Sequence, residues 1–160
     1  MLTGHAVEWL KQRSKNPFFL YLPYTCPQVP LQGADDAGKP LDNTSRERYR
    51  KMIERMDQGV GEVLGQVDRM GAAENTLVVF TSDNGAIQVG TPFRGLKSSV
   101  WEGGIRMPCM ARLPGAIRPG STTTQVGLGM DWMPTILAAT GVRAPAGKKM
   151  DGVNLLPVLK

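Results

Sequence analysis

Ala6, Val7 and Leu10 recur at helical spacing, with Lys11 and Arg13 behind them, and this predicts a short helix over the first ten or so residues. Pro17 then opens Phe18-Phe19-Leu20-Tyr21-Leu22, apolar at every position and rich in aromatics. Such a run predicts a strand buried on both faces, as in a parallel sheet. From Pro23 to Asn43 the apolar periodicity stops, and Pro23, Pro27, Pro30, Pro40, Gly33 and Gly38 mark a long loop. Loops of this length are commonly functional. Thr44-Ser45-Arg46-Glu47 has capping-box spacing, in which the Thr44 hydroxyl accepts from the Glu47 amide and the Glu47 carboxylate reaches back. A long helix is predicted from there, because Tyr49, Met52, Ile53, Met56, Val60, Val63, Leu64 and Val67 keep one face apolar as far as Met70. Gly71 is placed to close it in a left-handed conformation. Gly59, Gly61 and Gly65 each cost about 1 kcal/mol against alanine in a helix interior. They are explained if the helix lies tight against a sheet.

Thr76-Leu77-Val78-Val79-Phe80-Thr81 is a second largely apolar strand, so a helix stands between two strands as in a βαβ unit, and the fold class is α/β. Ser82-Asp83-Asn84-Gly85 follows at once, at the carboxyl end where open parallel sheets place ligands. After a glycine-rich loop, a third short strand is predicted near Met107-Pro108-Cys109-Met110-Ala111-Arg112. Asp131 before Trp132-Met133-Pro134 reads as an N-cap with proline in the first turn, opening a helix that runs to Gly141. The tail from Val142 to Lys160 reads as mostly irregular.

The chain has 160 residues, 41% hydrophobic and 21% charged, a globular composition of one domain or part of one. Its 19 Lys and Arg exceed its 14 Asp and Glu to give +5, which suits nucleic acid, an anionic surface or an anionic small substrate. The densest basic cluster, Arg46, Arg48, Arg50, Lys51 and Arg55, is interleaved with Glu47, Glu54 and Asp57. That pattern is a solvated helix face, and without interleaved aromatic platforms it argues against nucleic-acid binding. Cys26 and Cys109 form no Cys-x-x-Cys or Cys/His pattern, against a structural zinc site or a disulfide framework. No apolar run reaches membrane-spanning length, and Met1-Leu2-Thr3-Gly4-His5 does not open a signal peptide.

Asp83 and Asn84 present a carboxylate and an amide carbonyl side by side, oxygen ligands suited to calcium or magnesium. From the dipeptide alone, a turn ending a strand is the plainer reading. Lys97, in Phe93-Arg94-Gly95-Leu96-Lys97-Ser98-Ser99, can meet an anion together with Ser98, Ser99 and loop amides, or can be a solvated lysine. Glu102-Gly103-Gly104-Ile105-Arg106 reads as a turn braced by an ion pair around two glycines. His5, the single histidine, reads as a surface residue, and no Ser/His/Asp or Cys/His constellation can be assembled around it.

Taken in order, these features resemble the arylsulfatases. The resemblance rests on Phe18 to Leu22 with its Pro-x-x-Pro-Leu-Gln loop, the helix around Met56-Asp57, and the strand ending in Ser82-Asp83-Asn84-Gly85. It continues with Lys97 five residues before Glu102-Gly103-Gly104-Ile105-Arg106-Met107-Pro108, with Asp131-Trp132-Met133-Pro134-Thr135-Ile136-Leu137, and with Asp151-Gly152. It implies an alkaline-phosphatase-like α/β/α sandwich with a mainly parallel sheet, of which residues 1–160 match the later part of a single catalytic domain. It also implies that Asp83 and Asn84 are the second pair of ligands to a Ca2+ or Mg2+ ion, that Lys97 binds the sulfate group, and that Glu102, Gly103, Gly104 and Arg106 hold the lysine loop. The implied partner is a sulfate-ester small molecule or sulfated glycan, with no nucleic acid and no membrane span. Relatives are commonly exported, periplasmic or lysosomal, and Asn43-Thr44-Ser45 matches a glycosylation sequon.

Two departures stand out. The family's formylglycine nucleophile arises in a Cys/Ser-x-Pro-Ser/Ala-Arg motif, which these residues do not contain, and the first pair of metal-binding aspartates is likewise missing. Gln28 stands where the family usually has a histidine near the ester oxygen, and an amide has no proton to transfer near neutral pH. The expected activity is therefore that of a sulfuric ester hydrolase in the complete protein, with the isolated chain inactive. Two alternatives remain: a non-catalytic anion- and metal-binding module, or a phosphodiesterase or phosphonate hydrolase of the same superfamily.

Overall fold

The computed structural model describes residues 2–13, 16–88 and 92–160, which form two compact units, Met1–Ala73 and Glu74–Lys160. In the first unit, helix α1 (Leu2–Lys11) packs on helix α2 (Arg46–Arg69). Their apolar stripes meet: Ala6 and Leu10 from α1 and Met52 and Val67 from α2 are buried, with Leu31 from the intervening loop. Trp9 closes one end, edge-on to Phe18 at 6.1 Å between ring centroids.

The start of α2 differs from expectation by one residue. Ser45 is the N-cap and its hydroxyl accepts from the Arg48 amide at 3.3 Å. Thr44 instead donates its hydroxyl to Asp42 Oδ1 at 2.7 Å, and Glu47 pairs with Lys51 at 2.9 Å rather than reaching back. The basic face of α2 is answered along its length, by Glu54 on Arg50 at 2.6 Å and by Glu62 on Arg55 at 3.8 Å, as the interleaving predicts. At the other end Gly71 takes the left-handed conformation, with φ of +67°.

The glycines of α2 are not explained by a sheet. A Cβ on Gly59 would lie 2.6 Å from Thr3 Oγ1 and 3.0 Å from the Tyr24 hydroxyl, so this glycine allows α1 and the loop to approach. Gly61 has open space around it. The loop before α2 is irregular but tied down. Buried Leu31 donates its amide to Asn43 Oδ1 at 3.0 Å, and Arg48 reaches back to the Pro40 carbonyl at 2.8 Å and to buried Asp36 at 3.7 Å.

The strand expected at Phe18 to Leu22 is extended backbone without a ladder, and it is not buried on both faces. Phe18, Leu20 and Leu22 are half-buried, whereas Phe19 is 67% and Tyr21 77% exposed. Among the described residues the sheet has two strands, β1 (Val78–Thr81) and β2 (Cys109–Arg112). They run antiparallel, Val78 opposite Arg112 and Thr81 opposite Cys109, so the parallel βαβ pairing read from the sequence is not formed there. An apolar run records that a segment suits a sheet interior; which strands flank it is decided elsewhere in the chain.

Between the strands lies a single helical turn, α3 (Glu102–Ile105), and after them α4 (Trp132–Thr140) and the short α5 (Leu156–Leu159). Gly141 ends α4 with φ of +69°. Asp131 stands at the start of α4 but does not cap it with its side chain. Its carboxylate accepts from the Leu128 amide at 2.7 Å and the Val153 amide at 2.8 Å, and so ties the tail to the helix. Those two donors, Leu128 first, hold its carboxyl below the usual carboxylate range. Thr135, fully buried, continues the latch by donating to the Asp131 carbonyl at 2.6 Å and accepting from the Leu155 amide at 2.8 Å.

Candidate functional site

β1 delivers Ser82, Asp83 and Asn84 to its carboxyl end, where the ladder stops. The Ser82 hydroxyl donates to the Asn84 carbonyl at 3.0 Å and fixes the turn. Asp83 is exposed and Asn84 half-buried, and Asp83 forms no ion pair among the described residues. Neighbouring carboxylate and amide oxygens suit a hard divalent cation in kind, but two donors are only part of the six to eight such an ion takes. No group of three or more His, Cys, Asp or Glu side chains able to hold a metal forms among the described residues.

Lys97 is brought back to this strand end by its backbone. Its amide donates to the Ala86 carbonyl at 2.8 Å, two residues beyond Asn84. The side chain is half-buried and forms no ion pair among the described residues. Ser98, directly after it, has φ of +73°, the one non-glycine residue in the left-handed region among those described. A serine held there costs about 1–3 kcal/mol, and such strain collects where a structure must aim a side chain.

What holds this loop is α3, through backbone more than charge. Gly85 donates to the Gly104 carbonyl at 2.8 Å and Gly103 to the Arg94 carbonyl at 2.7 Å. With the Lys97 bond, these link the segments 85–86, 94–97 and 103–104 into one knot. A side chain at either buried glycine would strike backbone: a Cβ on Gly103 would lie 2.8 Å from the Arg94 carbonyl oxygen, and one on Gly104 2.6 Å from that of Leu96. The expected ion pair exists, Arg106 to Glu102 at 3.2 Å, but both side chains are largely exposed, and such pairs contribute about 0–1 kcal/mol. Sequence reading missed Gly85 and Gly95 as members of this knot, although the density of glycines between 85 and 104 was the available signal.

Gln28 belongs to the first unit, in the loop after Leu22. It is half-buried, and its amide oxygen accepts from the Val29 amide at 3.0 Å. His5 is exposed, and Cys26 and Cys109 are both free thiols.

The model of the Sulfatase family matches residues 1–142. The chain belongs to the sulfatase family. Among curated relatives, human N-acetylgalactosamine-6-sulfatase is 35% identical over 164 residues, covering 96% of this chain and 31% of its own length. Rat steryl-sulfatase is 34% identical over 171 residues, covering 99% of this chain and 29% of its own. The chain thus spans about a third of the length of the curated sulfatases it matches. The crystal structure of Ps i-CgsB in complex with k-i-k-neocarrahexaose superposes with a TM-score of 0.88 at 32% identity, over 98% of this chain and 37% of that one. The α/β architecture is therefore the alkaline-phosphatase-like fold of sulfatases, of which these residues form a part containing a small antiparallel sheet.

Proposed function

We propose that this sulfatase-family chain carries part of a site for sulfuric ester hydrolysis, and that it is one portion of a single catalytic domain. Lys97 would bind the sulfate group through its ammonium, and Asp83 and Asn84 would supply oxygens to a Ca2+ or Mg2+ ion. The observation that carries this reading is the backbone knot, which returns Lys97 to the strand end bearing Asp83 and Asn84 through the Ala86, Gly103 and Gly104 bonds. A cationic side chain and a hard-cation ligand pair then share one sheet end, the arrangement needed to neutralise a sulfuryl group. When bound, the divalent ion supplies Lewis-acid charge to the sulfate oxygens.

The chain's own residues account for binding and orientation rather than bond cleavage. Gln28, at the position where the family usually has a histidine, would offer an amide hydrogen bond and no proton. With no Cys/Ser-x-Pro-x-Arg motif among these 160 residues, the formylglycine nucleophile and the remaining metal ligands would have to come from other residues. The substrate class is a sulfate-ester small molecule or a sulfated glycan.

Calorimetric titration with calcium chloride and sodium sulfate tests the binding half of the reading. Weak calcium and sulfate binding, lost in Asp83→Ala and Lys97→Ala respectively, is the expected result; variants that bind like the parent would remove these roles. A nitrophenyl sulfate assay tests the other half, and metal-dependent hydrolysis by the isolated chain would overturn it. Tight binding without turnover would favour the second reading, a non-catalytic anion- and metal-binding module. Phosphate held in preference to sulfate would point to the phosphodiesterase or phosphonate hydrolase alternative.

A further inference from the structure

Two arginines next to Lys97 lie on aromatic rings, and they differ in what answers their charge. Arg106 sits 4.5 Å from the Phe93 ring centroid and is paired with Glu102. Arg94 sits closer, 3.7 Å from the Trp101 ring centroid, and has no carboxylate within ion-pair distance among the described residues. It is exposed. Its backbone is among the best held in the loop, because the Arg94 carbonyl accepts from Gly103 at 2.7 Å. Trp101 is held too: its carbonyl accepts from Gly104 at 2.7 Å, and its Cβ lies 2.7 Å from where a Cβ on Gly95 would stand.

Stacking on an indole fixes the plane of a guanidinium while leaving its N–H donors at the edge, where they match a carboxylate or sulfate bidentately. Here the guanidinium charge is oriented, open to solvent and three residues from the lysine assigned to sulfate.

We infer that Arg94 is a specificity residue that recognises a second anionic group, a sulfate or carboxylate, on a substrate whose sulfate ester is addressed to Lys97. The inference rests on the reading of Lys97 given above. It selects polyanionic substrates over those with one charge. A surface guanidinium answering an anion in this way gives about a 2- to 5-fold preference at low salt.

The test titrates the full chain with N-acetylglucosamine 6-sulfate, glucosamine 2-N,6-O-disulfate and a monosulfated uronic acid, all in low salt. The parent chain is expected to hold the two doubly charged sugars about 2- to 5-fold more tightly than the singly charged one, with the difference falling as salt rises. Arg94→Gln, whose flat amide can still lie on Trp101, should remove that preference and leave N-acetylglucosamine 6-sulfate unaffected. Arg94→Lys keeps the charge but not the fork and should retain only part of it, which keeps the test open if one variant does not fold. A preference that survives in both variants, or an equal loss for all three ligands, overturns the role of Arg94. Lys97→Ala should weaken all three ligands; if it does not, the Lys97 reading fails first. Retention of the disulfate alone shows recognition of a second sulfate, and retention of the uronate alone that of a carboxylate.

Discussion

Replacing Gly103 with alanine tests whether the backbone knot is what holds the lysine loop. Gly103 is buried, and its new Cβ would lie 2.8 Å from the Arg94 carbonyl oxygen and within collision range of the Gly95 carbonyl. Both are main-chain atoms, so no flexible side chain can give way. Overpacking of this kind costs about 1–3 kcal/mol, and losing the Gly103 to Arg94 hydrogen bond about 1 kcal/mol more. Together the cost is about 2–4 kcal/mol, a large share of the roughly 5–15 kcal/mol that stabilises a domain. Amide hydrogen exchange reads this locally. In the parent chain Gly85, Lys97 and Gly103 each donate to a backbone carbonyl, and their exchange protection should fall together by about 30- to 700-fold in Gly103→Ala. Gly129→Ala in the same unit is the control, since nothing lies within 4 Å of its added Cβ, and its effect should stay within about 0.5 kcal/mol. If Gly103→Ala protects those three amides as the parent does, or if only the Gly103 amide responds, the three bonds are not one cooperative unit. The account of how Lys97 is placed then fails.

Four further outcomes follow from the same contacts. Glu102→Gln should change stability by less than about 1 kcal/mol by urea denaturation, because the pair it breaks is exposed; a larger loss would restore the ion pair as the brace. Gly61→Ala should stabilise the first unit by about 1 kcal/mol, whereas Gly59→Ala should not, because only the latter meets Thr3 and Tyr24. Asp131→Asn should lower the melting temperature at pH 7 by weakening the Leu128 and Val153 bonds. The folded-state pKa of Asp131 is depressed, so its stabilisation is present above the unfolded value of about 3.9 and disappears as pH falls through the folded value; the gap between parent and variant should therefore close below about pH 4. A gap that persists at pH 2 would show that the carboxylate charge is not what matters. Ser98→Gly should be neutral or stabilising, since glycine reaches φ of +73° without strain, and loss of stability would contradict the strained backbone beside Lys97.

Much of the molecule could be read from local pattern. The helices α1, α2 and α4, the left-handed closures at Gly71 and Gly141 and the positions of β1 and β2 follow from periodicity and from what glycine and proline allow, which are properties of a few adjacent residues. The candidate site residues were picked out by the same local signals, since Asp83-Asn84 after a strand, Lys97 in a glycine-rich loop and Gly103-Gly104 behind a glutamate are each short runs of neighbours along the chain. The cap of α2 was misplaced by one residue because Thr44 and Ser45 are chemically near-equal and only the presence of Asp42 to take the Thr44 hydroxyl separates them.

What the amino-acid order determined by itself was thus the helices α1, α2 and α4, the positions of β1 and β2, the family and the residue types of the candidate site. Tertiary structure alone decided which backbone groups meet across distance. It paired β1 antiparallel with β2, left Phe19 and Tyr21 exposed on an extended segment, and set Gly59 against Thr3 rather than a sheet. It also turned the Asp131 carboxylate away from its own helix to Leu128 and Val153, and left Arg94 stacked without an ion pair among the described residues where Arg106 is paired. The physical reason is common to all of these. A hydrogen bond or a steric contact depends on the partner's position in space, and residues far apart in the chain carry no local signal of who that partner will be.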